Sequence, residues 1–202
     1  MTKTITSILV LSLGLFPLQL MAGKLDSYFA GVKTIEAGFT QTMVTGTTRE
    51  QVSKGRLYVV SPDKFRLDYL EPYSQIYIAD GKQLISYDQD LEQVIIKPQG
   101  EVLTNTPAMV LSNPKRLETD YTVESQGKWD GQNWYLLTPK RQDTNFEQIR
   151  LAFKDKQLLH MELKDSFGQF SRLTFTNMKY NSSIPAKTFT FTPPDGVDII
   201  QE

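Results

Sequence analysis

Between Gly55 and Pro98 the chain reads as five short strands with almost nothing between them: GRLYVV, KFRLDYL, QIYIAD, QLISYD and LEQVIIKP. They are broken at Ser61-Pro62-Asp63, Glu71-Pro72, Asp80-Gly81 and Asp88 to Asp90, which are turn-forming runs. Hairpins in such close succession build one antiparallel sheet. Leu57 and Val59 fall on one face of the first strand and Tyr58 and Val60 on the other, so both faces carry large apolar groups. A sheet of this kind needs its second face covered, by another element or by a ligand.

Residues 1–22 are set apart from that fold. Lys3 precedes an apolar stretch from Ile5 to Leu20, followed by Ala22 and Gly23, which is the pattern of a secretory signal peptide cleaved near Ala22. The mature chain, 23–202, is then expected to form one domain located in the periplasm. It contains no cysteine, so neither N-terminal lipidation nor a disulfide is open to it, and its core alone must hold it together. Of the 22 basic and 23 acidic residues only Lys3 lies in the leader, which leaves the mature chain at a net charge of about −2. No basic run could neutralise a row of phosphates, and nucleic acid is not an expected partner. After residue 22 no apolar run approaches the about 18 residues that span a bilayer.

Leu25, Phe29, Val32 and Ile35 recur at helical spacing, which predicts an amphipathic helix over 24–38 that leads directly into a strand with Phe39, Gln41 and Met43 on one face. Residues 99–115 lose the period of two, and Thr104 to Pro107 followed by AMVLS predicts a short helix stopped at Asn113-Pro114. Strand signals then return as YTVESQ, NWYLLTP, FEQIRLAF, QLLHMELKD, FSRLTFTNMKY and TFTFTP, with corners at Asp130-Gly131, Asp155-Lys156 and Phe167-Gly168. About eleven strands and two helical segments result. A flat sheet of that size leaves an uncovered face, so the expected architecture is mainly β: an incomplete eleven-stranded antiparallel half-barrel with an α-helical lid over an apolar cavity.

Catalytic chemistry finds little to work with. The absence of cysteine and the single His160 remove most zinc, Cys-His and Ser-His-Asp arrangements. His160 is read on one strand face with Leu158 and Glu162, as a satisfied sheet histidine. The pairs Asp88 with Asp90 and Asp63 with Asp68 fall in turns or beside basic residues, as solvated charges do, and Gly46, Gly55, Gly81 and Gly100 form no phosphate-binding pattern. The chain reads as a non-enzyme. Met43, Met109, Met161 and Met178, with eleven Phe and nine Tyr, suit instead an adaptable apolar binding lining.

In order along the chain stand Phe39-Thr40-Gln41, Gly55-x-Leu57, Pro62-x-x-Phe65, Asp80-Gly81-Lys82, Tyr87-Asp88 with Leu91-Glu92-Gln93, Thr106-Pro107-Ala108 and a closing Phe189-x-Phe191-x-Pro193-Pro194-x-Gly196-Val197. In order and spacing these resemble the outer-membrane lipoprotein carrier family, LolA, over nearly the whole mature chain. The resemblance implies a helix-lidded half-barrel that shelters lipoprotein acyl chains across the periplasm, receiving them from the inner-membrane ABC complex LolCDE and passing them to the outer-membrane receptor LolB. It implies no cofactor and no metal, and a monomer is expected. Phe29, Val32, Phe65, Leu67, Met109 and Leu111 are expected to line one continuous lipid-binding cavity. Many family members carry arginine where Ser61 stands, latching the lid; serine supplies no guanidinium, and Arg66 is the candidate replacement.

Two other function classes use similar features: a periplasmic domain that senses lipids or mislocalised lipoproteins, and a small all-β hydrolase. The chain ends at Glu202 directly after the last expected strand, which favours the free carrier. A specialised carrier of another lipid or glycolipid reads the same way in sequence.

Overall fold

The computed structural model describes residues 23–45, 49–102, 107–142 and 144–202. The expected signal peptide and the Thr104 to Thr106 helix start lie outside the described residues. One sheet of twelve strands dominates: β1 (Thr34–Thr45), β2 (Arg49–Val60), β3 (Lys64–Glu71), β4 (Gln75–Asp80), β5 (Gln83–Asp88), β6 (Gln93–Pro98), β7 (Tyr121–Trp129), β8 (Gln132–Pro139), β9 (Phe146–Lys154), β10 (Gln157–Asp165), β11 (Phe170–Tyr180) and β12 (Asp198–Gln201). Their spatial order is β12-β6-β5-β4-β3-β2-β1-β11-β10-β9-β8-β7. Since β12 and β7 do not pair with each other, the sheet stays open. Among the described residues helices are few and short: α1 (Gly23–Phe29), α2 (Gln99–Val102), α3 (Pro107–Ser112) and α4 (Leu117–Asp120).

Three expectations about the elements need correction. The first helix stops at Phe29, not at residue 38: Gly31 takes a left-handed φ of 74°, and from Thr34 the chain pairs with β2 on one side and β11 on the other. Ile35, Ala37 and Phe39 are buried at alternate positions, so the period of two wins over the helical spacing that Ile35 shared with Leu25 and Phe29. The run TFTFTP is not a strand. Ala186–Phe189 forms a 3-10 turn, and the last strand is β12, which lies parallel to β6 from Asp198 against Gln93 to Gln201 against Ile96. Among the described residues the strand count is therefore twelve.

This closing segment supplies the cover that the opening hairpins require. On β2 to β6 the inner face carries Leu57, Val59, Phe65 and Ala79, while Ile78 and Val94 point outward and are fully buried. The Ala186–Phe189 turn packs on β3 and β4, Phe189 is buried, and Phe191 meets Tyr87 at 5.3 Å between ring centroids. A second outer cluster sits on β8 to β11, where Arg150 lies 4.6 Å above the Trp134 ring and the buried Glu162 bridges Arg150 and Arg172.

A β-bulge between Leu158 and His160 lets Leu158, Met161 and Leu163 all turn inward, and leaves His160 and Glu162 on the outside. The expected shared face of Leu158 and His160 is thereby corrected. His160 stacks on Trp134 and meets Thr174 Oγ1 at 3.2 Å.

Candidate functional site

The interior is filled unevenly. Over β8 and β9 the helix α1 packs solidly: Tyr28 stacks on Phe153 at 4.2 Å, Phe29 meets the same ring edge-on at 5.8 Å, and Asn133 donates a hydrogen bond to the Tyr28 hydroxyl. Over β1 to β4, β10 and β11 no helix among the described residues fills the space, and α3 roofs it. A cavity of about 350 Å³ remains there.

Its wall follows from strand register. The inner rows run, from the open end inward, through Met43 with Gln51, Gln41 with Ser53 and Leu173, then Phe39 with Phe175, Tyr69 with Gln75, Leu57 with Leu67 and Tyr77, and Val59 with Phe65. Leu57, Phe65, Leu67, Met161, Leu163, Leu173 and Phe175 make the deep wall, and α3 presents Ala108 and Leu111 as its roof. Among the described residues the wall holds no Asp, Glu, Lys, Arg or His. Its hydroxyls stay uncharged as well: burial pushes the Tyr69 phenol far up, with Tyr77 adding to the effect, and burial followed by the Asp88 charge raises Tyr77.

Of the six residues expected to line one cavity, the fold brings three together. Phe65, Leu67 and Leu111 are on this wall. Phe29 is locked in the aromatic cluster over β9, Val32 packs against the core beyond it, and Met109 faces a separate space of about 140 Å³ with Val110, Leu117 and Tyr121. Sequence reading missed Gln41, Tyr69, Gln75 and Tyr77 as wall residues, although the alternation through Phe39, Gln41 and Met43 carries the signal for the first of them.

The roof is held by one turn. Between β2 and β3, the Asp63 N–H donates to Ser112 O at 3.2 Å, its carbonyl accepts from Gln99 Nε2 at 2.6 Å, and its carboxylate accepts from Asn113 Nδ2 at 2.7 Å. Gln99 and Ser112 are both buried.

The model of the family described as outer membrane lipoprotein carrier protein LolA matches residues 30–192. An outer-membrane lipoprotein carrier protein of Chromobacterium violaceum is 41% identical over 177 residues, covering 88% of this chain and 85% of that one. Another, from Methylococcus capsulatus, is 37% identical over 180 residues, covering 89% and 86%. The chain belongs to the LolA family. Among solved structures, an uncharacterized conserved protein from Thermus thermophilus superposes with a TM-score of 0.56 at 14% identity, covering 88% of this chain and 96% of that one, which shows a shared fold.

Of the residues that carry the resemblance, Gln41, Leu57, Phe65 and Ala108 line the cavity, whereas Tyr87, Phe189 and Phe191 cover the outer face. A Cβ on Gly55 would run into Asp68 O and lie 2.5 Å from the Phe39 ring, so glycine is what lets that ring cross β2. Phe39 then meets Tyr69 edge-on at 5.2 Å, and the Tyr69 hydroxyl donates to Gln41 Oε1 at 2.6 Å. The latch candidates lie elsewhere. Ser61 donates its backbone N–H to Lys33 O, and Arg66 is on the outer face, where it pairs with Asp68 Oδ1 at 2.7 Å and donates to Thr188 O at 3.1 Å. Arg66 therefore ties down the closing segment, and the lid contacts belong to Asp63.

Proposed function

We propose that this chain is a periplasmic lipoprotein carrier that takes the acyl chains of its cargo into the cavity beneath α3. The observation that carries this reading is the cavity itself: an uncharged pocket with an apolar floor and a short helical roof, in a LolA-family chain. Each methylene moved from water onto that floor contributes roughly 0.8 kcal/mol, enough in sum to hold a lipid tail through an aqueous crossing. By family resemblance the cargo comes from an inner-membrane LolCDE-type ABC complex and goes to a LolB-type receptor. The protein itself makes and breaks no covalent bond in this scheme.

The test places a charge on the floor. Leu67→Glu or Phe65→Glu is expected to weaken binding of a fluorescent apolar probe and of a lipidated peptide by at least about tenfold, because an unpaired carboxylate opposes the tail more strongly than a strand substitution perturbs the sheet. Circular dichroism reports the fold in parallel. Unchanged binding in well-folded variants overturns the cavity as the acyl site.

A further inference from the structure

The two ends of the cavity are built from different chemistry. Its deep end is hydrocarbon and sulfur, whereas the rows nearest the opening contribute Gln41, Gln51, Ser53, Tyr69 and Gln75 beside Met43, and Tyr77 reaches Gln75 from the Leu57–Leu67 row. The six polar side chains form a hydrogen-bonding collar with an internal order. Tyr69 donates to Gln41 Oε1 at 2.6 Å, Tyr77 donates to Gln75 Oε1 at 3.3 Å, and Gln75 Nε2 donates to Asp88 Oδ2 at 2.6 Å. With the Gln41 carbonyl occupied by Tyr69, its amide N–H groups are directed to other acceptors, and the tyrosine oxygens keep lone pairs for donors.

A lipid threaded tail-first would leave its head among these groups. We propose that the collar recognises the uncharged ester and amide groups at the head of an acylglyceryl-cysteine, and discriminates against lipids whose head carries a phosphate or a free carboxylate. This rests on the carrier reading above and adds the selection it needs, since phospholipid is the commonest acyl lipid beside any lipoprotein. Ester and amide carbonyls accept hydrogen bonds from neutral N–H and O–H donors at little desolvation cost. An anionic head has no such match: among the described residues the wall offers no cation, and burying an unpaired phosphate or carboxylate costs several kcal/mol. The Tyr69 and Tyr77 phenols are neutral across the physiological range, and burial raises their pKa further.

Displacement of a bound fluorescent apolar probe from the mature protein tests this directly. The competitors, each below its aggregation threshold and with matched chains, are an N-acetylated diacylglyceryl-cysteinyl peptide, a diacylglycerol, a phosphatidylglycerol, and the free fatty acid at about pH 8. The two neutral lipids are expected to agree within about threefold, and the two anionic ones to bind at least about tenfold more weakly. Gln41→Leu and Tyr69→Phe are expected to weaken binding of the diacylglyceryl-cysteinyl peptide by about threefold or more, since each removes a hydrogen-bonding group from the collar. Ser53→Lys, which adds a cation at the collar, is expected to raise phosphatidylglycerol and fatty-acid binding by about tenfold relative to the diacylglycerol. Equal binding of neutral and anionic lipids by the unmodified protein, or a ratio that Ser53→Lys leaves unmoved, overturns the selection while leaving the carrier reading intact. Failure of all four lipids to displace the probe overturns both.

Discussion

Asn113 Nδ2 donates to Asp63 Oδ1 at 2.7 Å, joining the residue that follows α3 to the turn that joins β2 to β3. Asp63 also receives Gln99 on its carbonyl and gives its N–H to Ser112, so one turn residue joins α2 to the end of the roofing helix α3. Asn113→Ala should leave the half-buried carboxylate short of a partner, at a cost of roughly 1–3 kcal/mol concentrated in the roof. Hydrogen exchange is the measurement: the Asp63 and Asn113 amides should lose protection in the variant while β10 and β11 keep theirs, and uniform loss across the sheet would instead mean global destabilisation.

Gly55→Ala should be among the most damaging small substitutions on the sheet. The added methyl meets both Asp68 O and the Phe39 ring, neither of which can yield without moving β3 or the cavity wall, so a loss of roughly 1–3 kcal/mol is expected in denaturant unfolding. Gly100→Ala is the control. Nothing lies within 4 Å of a Cβ there, and a helical alanine should be neutral or gain up to about 1 kcal/mol.

Much of this architecture is visible in the chain because hairpin sheets are written locally. Asp130-Gly131 and Asp155-Lys156 each place two residues at positive φ and fix the two-residue turns they predict. Residues 30–38 misread because Ile35 satisfies the helical and the strand period at once, and only the partners on both sides of β1 decide between them. TFTFTP misreads for the opposite reason: its alternation is real, but Phe189 and Phe191 spend it on covering the outer face, while the exposed β12 looks unremarkable. The cavity wall was half legible. Apolar residues near the expected lid were found, yet which helix fills space and which only roofs it depends on the meeting of Tyr28 and Phe29 with Phe153, a contact across more than 120 residues that no local pattern encodes.

His160 gives the fold a pH dependence of known sign. Burial against Trp134 lowers its pKa first, Arg172 lowers it further, and Glu162 opposes both in part. A base whose folded pKa is depressed binds more protons when unfolded, so its contribution is present above the ordinary value of 6.5 and is lost as pH falls through the window below it. Unfolding free energy should therefore drop more steeply on going from about pH 7 to about pH 5 in the unmodified protein than in His160→Gln. Parallel curves would show that His160 titrates alike in both states.

Arg66 separates the outer cover from the lid. Its guanidinium holds Asp68 and the Thr188 carbonyl on the face opposite the cavity, and the contacts described for α3 run through Asp63. Arg66→Leu should leave the half-buried Asp68 carboxylate without its ion partner and free the closing segment, lowering stability by roughly 1–2 kcal/mol and exposing residues 185–197 to limited proteolysis. Binding of an apolar probe should change by less than about threefold, since neither wall nor roof is touched. Ser61→Arg supplies the comparison: a guanidinium introduced beside Pro62, next to the Asp63 turn, acts on the roof side of β2 and should alter probe release without changing cleavage at 185–197. If Arg66→Leu loosens α3 in hydrogen exchange as strongly as Asn113→Ala does, the two faces are coupled through β3, and the division of labour between Asp63 and Arg66 is wrong.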